Sequence, residues 1–166
     1  MFESGAFVAE QFGALTADQV QPNGVDLRIE SVHEPTEPGR IARDGKRVAD
    51  RREVDPHDED GQAVYHLDPG GYIVAYEDRI AIPDEHVGLL LPRSTLLRNG
   101  ATLETAVWDA GYEGRGEGLL IVHHPIEIER GARIGQLIVA EADHSGTYDG
   151  SYQGERIEAD GGSDAP

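Results

Sequence analysis

Residues 87–114 read VGLLLPRSTLLRNGATLETAVWDAGYEG. An apolar strand over 87–91 runs into an Arg-Ser-Thr turn, which opens a short helical piece that ends at Asn99-Gly100. A second strand follows and delivers Asp109 into a Gly-rich hairpin, DAGYEG. The first part presents two cations (Arg93, Arg98), two hydroxyls (Ser94, Thr95) and backbone N–H groups at a helix start, all suited to phosphate. The second presents a carboxylate on a tight turn. Cations for a polyanion beside a carboxylate for a water point to attack on a phosphate ester or anhydride.

Working outward, the same strand-and-turn pattern covers most of the chain. Strands are expected at 66–68, 72–76, 79–82, 87–91, 102–108, 119–123, 126–128 and 133–140, separated by Gly, Pro and Asp turns. Many short strands at this spacing predict an all-β barrel or sandwich. Upstream, Val25-Asp26-Leu27-Arg28-Ile29 alternates as a strand, in which Asp26 and Arg28 are either a solvated face or structural groups near the site. Phe2, Phe7, Val8, Phe12 and Leu15 fit a short N-terminal helix. Residues 33–64 are polar and read as a surface excursion, with a hairpin at 41–48 around Asp44-Gly45 and a mobile acidic end at 53–60. That acidic run does not match a calcium loop: with Gly61 as the loop glycine, Pro56 and Leu67 fall at ligand positions. From about 143 the composition turns to Gly, Ser, Asp and Tyr, as in a flexible C-terminal arm.

At 166 residues the chain is expected to form a single domain, burying roughly two-thirds of its unfolded surface. Without cysteine, neither disulfides nor thiolate metal sites are available. No signal peptide or membrane span is legible, so a soluble, cytoplasmic protein is expected. The formal charge is −18, from 32 acidic and 14 basic residues. Such a surface repels nucleic acid, whose binding rests on neutralising phosphates. Lys46 is the only lysine beside 13 arginines, a composition expected of halophilic proteins, in which salt screens self-repulsion. An anionic ligand would then need a local positive site.

Five motifs, in order, resemble those of the dCTP deaminase and dUTPase superfamily. Arg93 to Gly100 is similar to its R-S-S-L-A-R-x-G motif, and Asp109 to Gly114 to its D-x-G/D-Y-x-G motif. Gly24-Val25-Asp26-Leu27-Arg28, Ile134-Gly135-Gln136-Leu137 and Tyr148 to Gly154 supply the others. The resemblance implies a jelly-roll-like distorted β-barrel and a homotrimer with sites at subunit interfaces, Arg93 to Arg98 from one chain and the Asp109 hairpin from its neighbour. It implies hydrolysis of dUTP to dUMP and pyrophosphate, with Asp109 activating water at the α phosphorus and Mg²⁺ held mainly by substrate phosphates and water. Tyr112 would be the deoxyribose platform, and Gln136 would lie in the nucleotide site. Tyr148, Tyr152 and Gln153 would belong to an arm closing over the triphosphate. Two departures concern that arm: Ser151 stands where the pattern usually has Lys, and Glu155 where it often has Gln.

The superfamily holds two chemistries. In the deaminases a Glu ten residues after the motif Asp shuttles a proton; here that position is Leu119, which cannot. Glu117 lies two residues earlier, about 6.6 Å away along a strand. The pattern therefore favours dUTP diphosphatase, with dCTP deaminase, alone or bifunctional, as the alternative and a non-catalytic nucleotide-binding regulator as another. P-loop and Rossmann signatures are absent. His123 and His124 point to opposite faces of a strand, which argues against shared metal ligation.

Overall fold

The computed structural model describes residues 1–157. In chain order it contains α1 (Gly5–Glu10), β1 (Val20–Gln21), β2 (Gly24–Pro35), β3 (Arg40–Ala42), β4 (Gly45–Arg47), β5 (Arg51–Glu53), β6 (His57–Glu59), β7 (Gln62–Leu67) and β8 (Gly70–Tyr76). Then follow β9 (Ile80–Ala81), β10 (His86–Pro92), α2 (Ser94–Arg98), β11 (Ala101–Glu104), β12 (Glu113–Gly114), β13 (Glu117–Val122), β14 (Ile126–Glu129) and β15 (Arg133–Glu141). The all-β expectation with a short N-terminal helix is met. α1 is capped by the Ser4 hydroxyl, which accepts from the Phe7 amide at 3.3 Å, and it drives Val8 into the core. It is shorter than the apolar pattern from Phe2 to Leu15 because Phe2 instead bridges to Ala140 beside β15.

The main sheet runs β10-β15-β2-β8-β13-β11, every neighbour antiparallel. Its two ends come together where Gly88 and Trp108 exchange backbone hydrogen bonds of 2.8 and 3.1 Å, nearly closing the sheet into a barrel. That closure corrects the strand expected over 102–108: β11 stops at Glu104, and the chain turns so that Trp108 can meet β10. β2, twelve residues long, bends at register shifts against both of its neighbours, as bulges do in a curved sheet. Val25, Leu27, Ile29, Val74, Leu120 and Leu137 form its fully buried interior.

Because β2 lies between β15 and β8, Asp26 is not a solvated residue; it is 1 % exposed. Arg28, two residues on, binds Asp78 through its backbone amide at 2.7 Å and its Nη2 at 2.8 Å. The polar excursion is more paired than its composition predicts. β3 and β4 form the expected hairpin, β5 adds to the far end of β2, and the acidic run folds as a β6–β7 hairpin turning at Asp60-Gly61, both at positive φ. Among the described residues no helix is long and apolar enough to cross a membrane.

Candidate active site

The predicted site residues gather in two places. At the first, the end of β10 turns at Arg93, whose extended backbone caps α2; α2 ends where Gly100 takes a positive φ of 79°. Arg93 and Thr95 line a cavity of about 710 Å³ between this turn, the start of β15 and β14. Arg133 lines it too, a cation that the sequence reading missed. Ser94 and Arg98 are exposed on α2, outside that lining. Beneath the cavity lies the Asp26 carboxylate, which meets Arg93 Nε at 3.0 Å and Arg133 Nη1 at 3.4 Å. Gln136 directs its amide onto the same carboxylate at 3.5 Å, so this amide in an apolar strand does find a partner. Burial pushes the Asp26 carboxyl up, and the two guanidiniums and the Gln136 amide oppose that rise without cancelling it.

At the second place, Trp108 is pinned to Gly88 and the chain reverses through Gly111, whose φ of 77° admits only a residue free of Cβ crowding. This turn leaves the Asp109 side chain exposed, and among the described residues nothing hydrogen-bonds to its carboxylate. Asp109 lines a cavity of about 540 Å³ with Trp108, Tyr112, Tyr148 and Tyr152. The aromatic rings are organised: Trp108 stacks on Tyr112 with centroids 6.1 Å apart, and Tyr148 meets Tyr112 edge-on at 5.6 Å. Tyr112 is only 3 % exposed, with its hydroxyl donating to Glu155 at 2.8 Å. Burial and the neighbouring Glu155 raise the Tyr112 hydroxyl well above its ordinary range.

Glu117 lines the same cavity, with both oxygens held by Arg51 at 2.7 and 2.8 Å. Leu119 faces a different depression on the sheet. His123 and His124 are exposed and join neither cavity.

The C-terminal arm, expected to be flexible, is docked on the Asp109 hairpin of its own chain. Tyr148 donates its amide to the Ala110 carbonyl at 2.7 Å, and Gly154 its amide to Glu113 at 2.8 Å. Gln153 donates its side-chain amide to the Gly111 carbonyl at 3.0 Å and accepts from the Glu113 amide at 3.2 Å. Lys46, on the β3–β4 hairpin, donates to the Ser151 hydroxyl at 3.0 Å and sits 4.5 Å from the Tyr152 ring centre. An ammonium from another element thus lies beside position 151.

The two cavities share no lining residue, so one chain does not bring Arg93 and Asp109 into a common pocket. Among the described residues no three His, Asp or Glu side chains converge as a metal cage.

Residues 1–142 match the family model described as dCTP deaminase-like. The chain is 55% identical over 160 residues to a probable deoxyuridine 5'-triphosphate nucleotidohydrolase of Halobacterium salinarum, covering 95% of this chain and 97% of that one. It is 40% identical over 144 residues to the deoxyuridine 5'-triphosphate nucleotidohydrolase of Methanocaldococcus jannaschii, covering 86% and 92%. Among solved structures, the 2'-deoxycytidine 5'-triphosphate deaminase of Agrobacterium tumefaciens superposes with a TM-score of 0.62 at 23% identity over 85% of this chain. The match takes in 48% of the deaminase chain, and at that identity the likeness is one of fold.

Proposed function

The chain belongs to the dCTP deaminase-like family, and from that premise we propose that it is a dUTP diphosphatase that hydrolyses dUTP to dUMP and pyrophosphate. The observation that carries the reading is the Asp109 carboxylate, exposed and without a partner among the described residues, lining an aromatic cavity. A free carboxylate there can accept a proton from water as the water oxygen bonds to the α phosphorus. The bond from that phosphorus to the bridging oxygen breaks, and pyrophosphate carries the electron pair away. The cavity's volume and its Trp108, Tyr112, Tyr148 and Tyr152 walls suit a pyrimidine base and deoxyribose. Tyr112 would exclude a ribose hydroxyl by sterics, and the arm residues Tyr148, Tyr152 and Gln153 would shut out bulk water.

Arg93 and Arg98, with Ser94 and Thr95, take the triphosphate in this reading, and a second copy of the chain brings them to the Asp109 hairpin. A homotrimer with shared sites answers the separation of the two cavities within one chain. Mg²⁺ is proposed to arrive on the triphosphate, with phosphate oxygens and water as its main ligands. The side chains among the described residues do not form a cage for it.

Asp109→Asn is expected to lower kcat for dUTP by at least about a hundredfold, the scale of a positioned acid or base, with the thermal midpoint unchanged. An unaltered kcat would remove Asp109 from the chemistry. Following ammonia alongside pyrophosphate separates the second reading, dCTP deamination, which Glu117 keeps open by lining the same cavity. Arg51 occupies both Glu117 oxygens, which disfavours a proton-shuttling role.

A further inference from the structure

Asp26 poses a question of charge. It sits on a central strand with its Cα opposite Gln136 of β15, and its side chain is 2 % exposed. A carboxylate withdrawn from water must be compensated, and two guanidiniums do so from different elements. Arg93 comes from the end of β10 and Arg133 from the first position of β15. Arg93 spends Nε on Asp26 and Nη1 on the Arg133 carbonyl at 3.3 Å, leaving Nη2 without a protein acceptor among the described residues. Arg133 spends Nη1 on Asp26 and on the Asp18 carbonyl, and Nη2 approaches the Asp18 carboxylate at 3.4 Å.

Both guanidiniums, 30 % and 27 % exposed, face the 710 Å³ cavity that Thr95 also lines. Asp18 is 65 % exposed, so water screens it and it neutralises Arg133 only weakly. Asp68, Glu127 and Glu129 also line the cavity, so its positive charge is local to the Arg93–Arg133 pair in front of Asp26.

We propose that Asp26 is a positioning residue that yokes Arg93 and Arg133 into one paired cradle, and that Arg133 is a second cation for the substrate's polyphosphate. This rests on the reading that the Arg93 cavity takes phosphates. A buried acceptor fixes both planar forks before the ligand arrives, so less side-chain freedom is lost on binding. The bond from Arg93 Nη1 to the Arg133 carbonyl ties the first fork to the strand that carries the second. Anionic polyphosphate then meets two charges already aimed at one volume, which favours bidentate contact.

The test compares Arg93→Gln, Arg133→Gln, Asp26→Asn, the Arg93→Gln/Arg133→Gln double variant and that double variant with Asp26→Asn added. All are full-length proteins in high KCl, read by KM and kcat for dUTP, inhibition by inorganic pyrophosphate, and thermal midpoint. Arg133→Gln is expected to raise KM and the pyrophosphate inhibition constant by about tenfold each, with kcat changed much less. Asp26→Asn is expected to raise KM on its own and to add nothing in the double-variant background, because it acts through those arginines. An effect of Asp26→Asn that multiplies undiminished in that background would mark a purely structural role and overturn the proposal. Should Asp26→Asn fail to fold, Arg133→Gln decides: an unchanged KM and inhibition constant overturn it. If Arg93→Gln also leaves both constants unchanged, the assignment of phosphates to this cavity falls first, and this inference falls with it.

Discussion

Two aspartates of this chain stand at opposite extremes of burial. Asp26 is enclosed and held by three side chains, whereas Asp109 is exposed with no partner among the described residues. A buried carboxylate without compensation is costly, so its environment reads as structure, while a free one can accept a proton from water. The sequence made Asp109 legible because it stands on a Gly-rich turn within a family motif. It left Asp26 ambiguous because V-D-L-R-I alternation is the same whether the polar face meets water or an ion pair. Arg133 went unseen for a related reason: its partners Asp18 and Asp26 precede it by more than a hundred residues. At the same scale, the packing under Glu117 makes a sharp forecast. A Cβ at Gly118 would lie 2.2 Å from the Tyr76 hydroxyl, which is fully buried beneath Trp108 on a rigid ring. Gly118→Ala is expected to cost about 1–3 kcal/mol in urea unfolding, as overpacking does. A variant as stable as the parent would mean that Tyr76 has room to move.

Among the elements, the barrel strands were legible from alternation and turn residues, and the excursion was not. Arg51-Arg52-Glu53 has no apolar residue, yet it pairs with β2 as β5, held by backbone bonds and the Arg51–Glu117 ion pair rather than by burial. The docked arm was hidden for the same reason, since its contacts are hydrogen bonds to the hairpin and the edge-on meeting of Tyr148 with Tyr112. Those contacts carry a pH dependence. Burial is the main cause that raises the Glu155 carboxyl above its ordinary 4.5; Glu117 adds to the rise, and the Tyr112 hydroxyl, Arg156 and Arg51 oppose it. A carboxyl raised on docking binds its proton more tightly in the docked arm than in a released one. Its contribution to docking is therefore complete below the released value and is lost as the pH rises through the docked value. Hydrogen exchange can follow this at the Arg115 amide, bonded to the Glu155 carbonyl at 3.0 Å, and at the Gly154 amide. Their protection factors are expected to fall as the pH rises above 4.5, and to stay level in Glu155→Gln. An equal fall in that variant would place the titration in another group.

For the whole molecule, the decisive fact is separation: Arg93 and Asp109 are sixteen positions apart in the chain but face cavities with no residue in common. Sequence proximity could not disclose this, because α2 and β11 intervene before the closure at Trp108. In the proposed trimer a second copy would bring the two residues together, since symmetric assembly lets each copy give one half to each neighbour. Association must overcome a charge of −18 per chain, so the experiment belongs in high KCl, where screening shortens that repulsion to a few ångströms. Arg93→Gln and Asp109→Asn chains, each nearly inactive at dUTP well below KM, are co-expressed or refolded together. An interface that takes its arginine from the Asp109→Asn chain and its aspartate from the Arg93→Gln chain is wild-type in both positions. With random mixing of equal amounts, about a quarter of interfaces in a trimer meet that condition. Recovery toward that fraction of wild-type kcat/KM is expected in the mixture and in neither parent. If each site were built within one chain, every site would keep one lesion, and mixing would restore nothing.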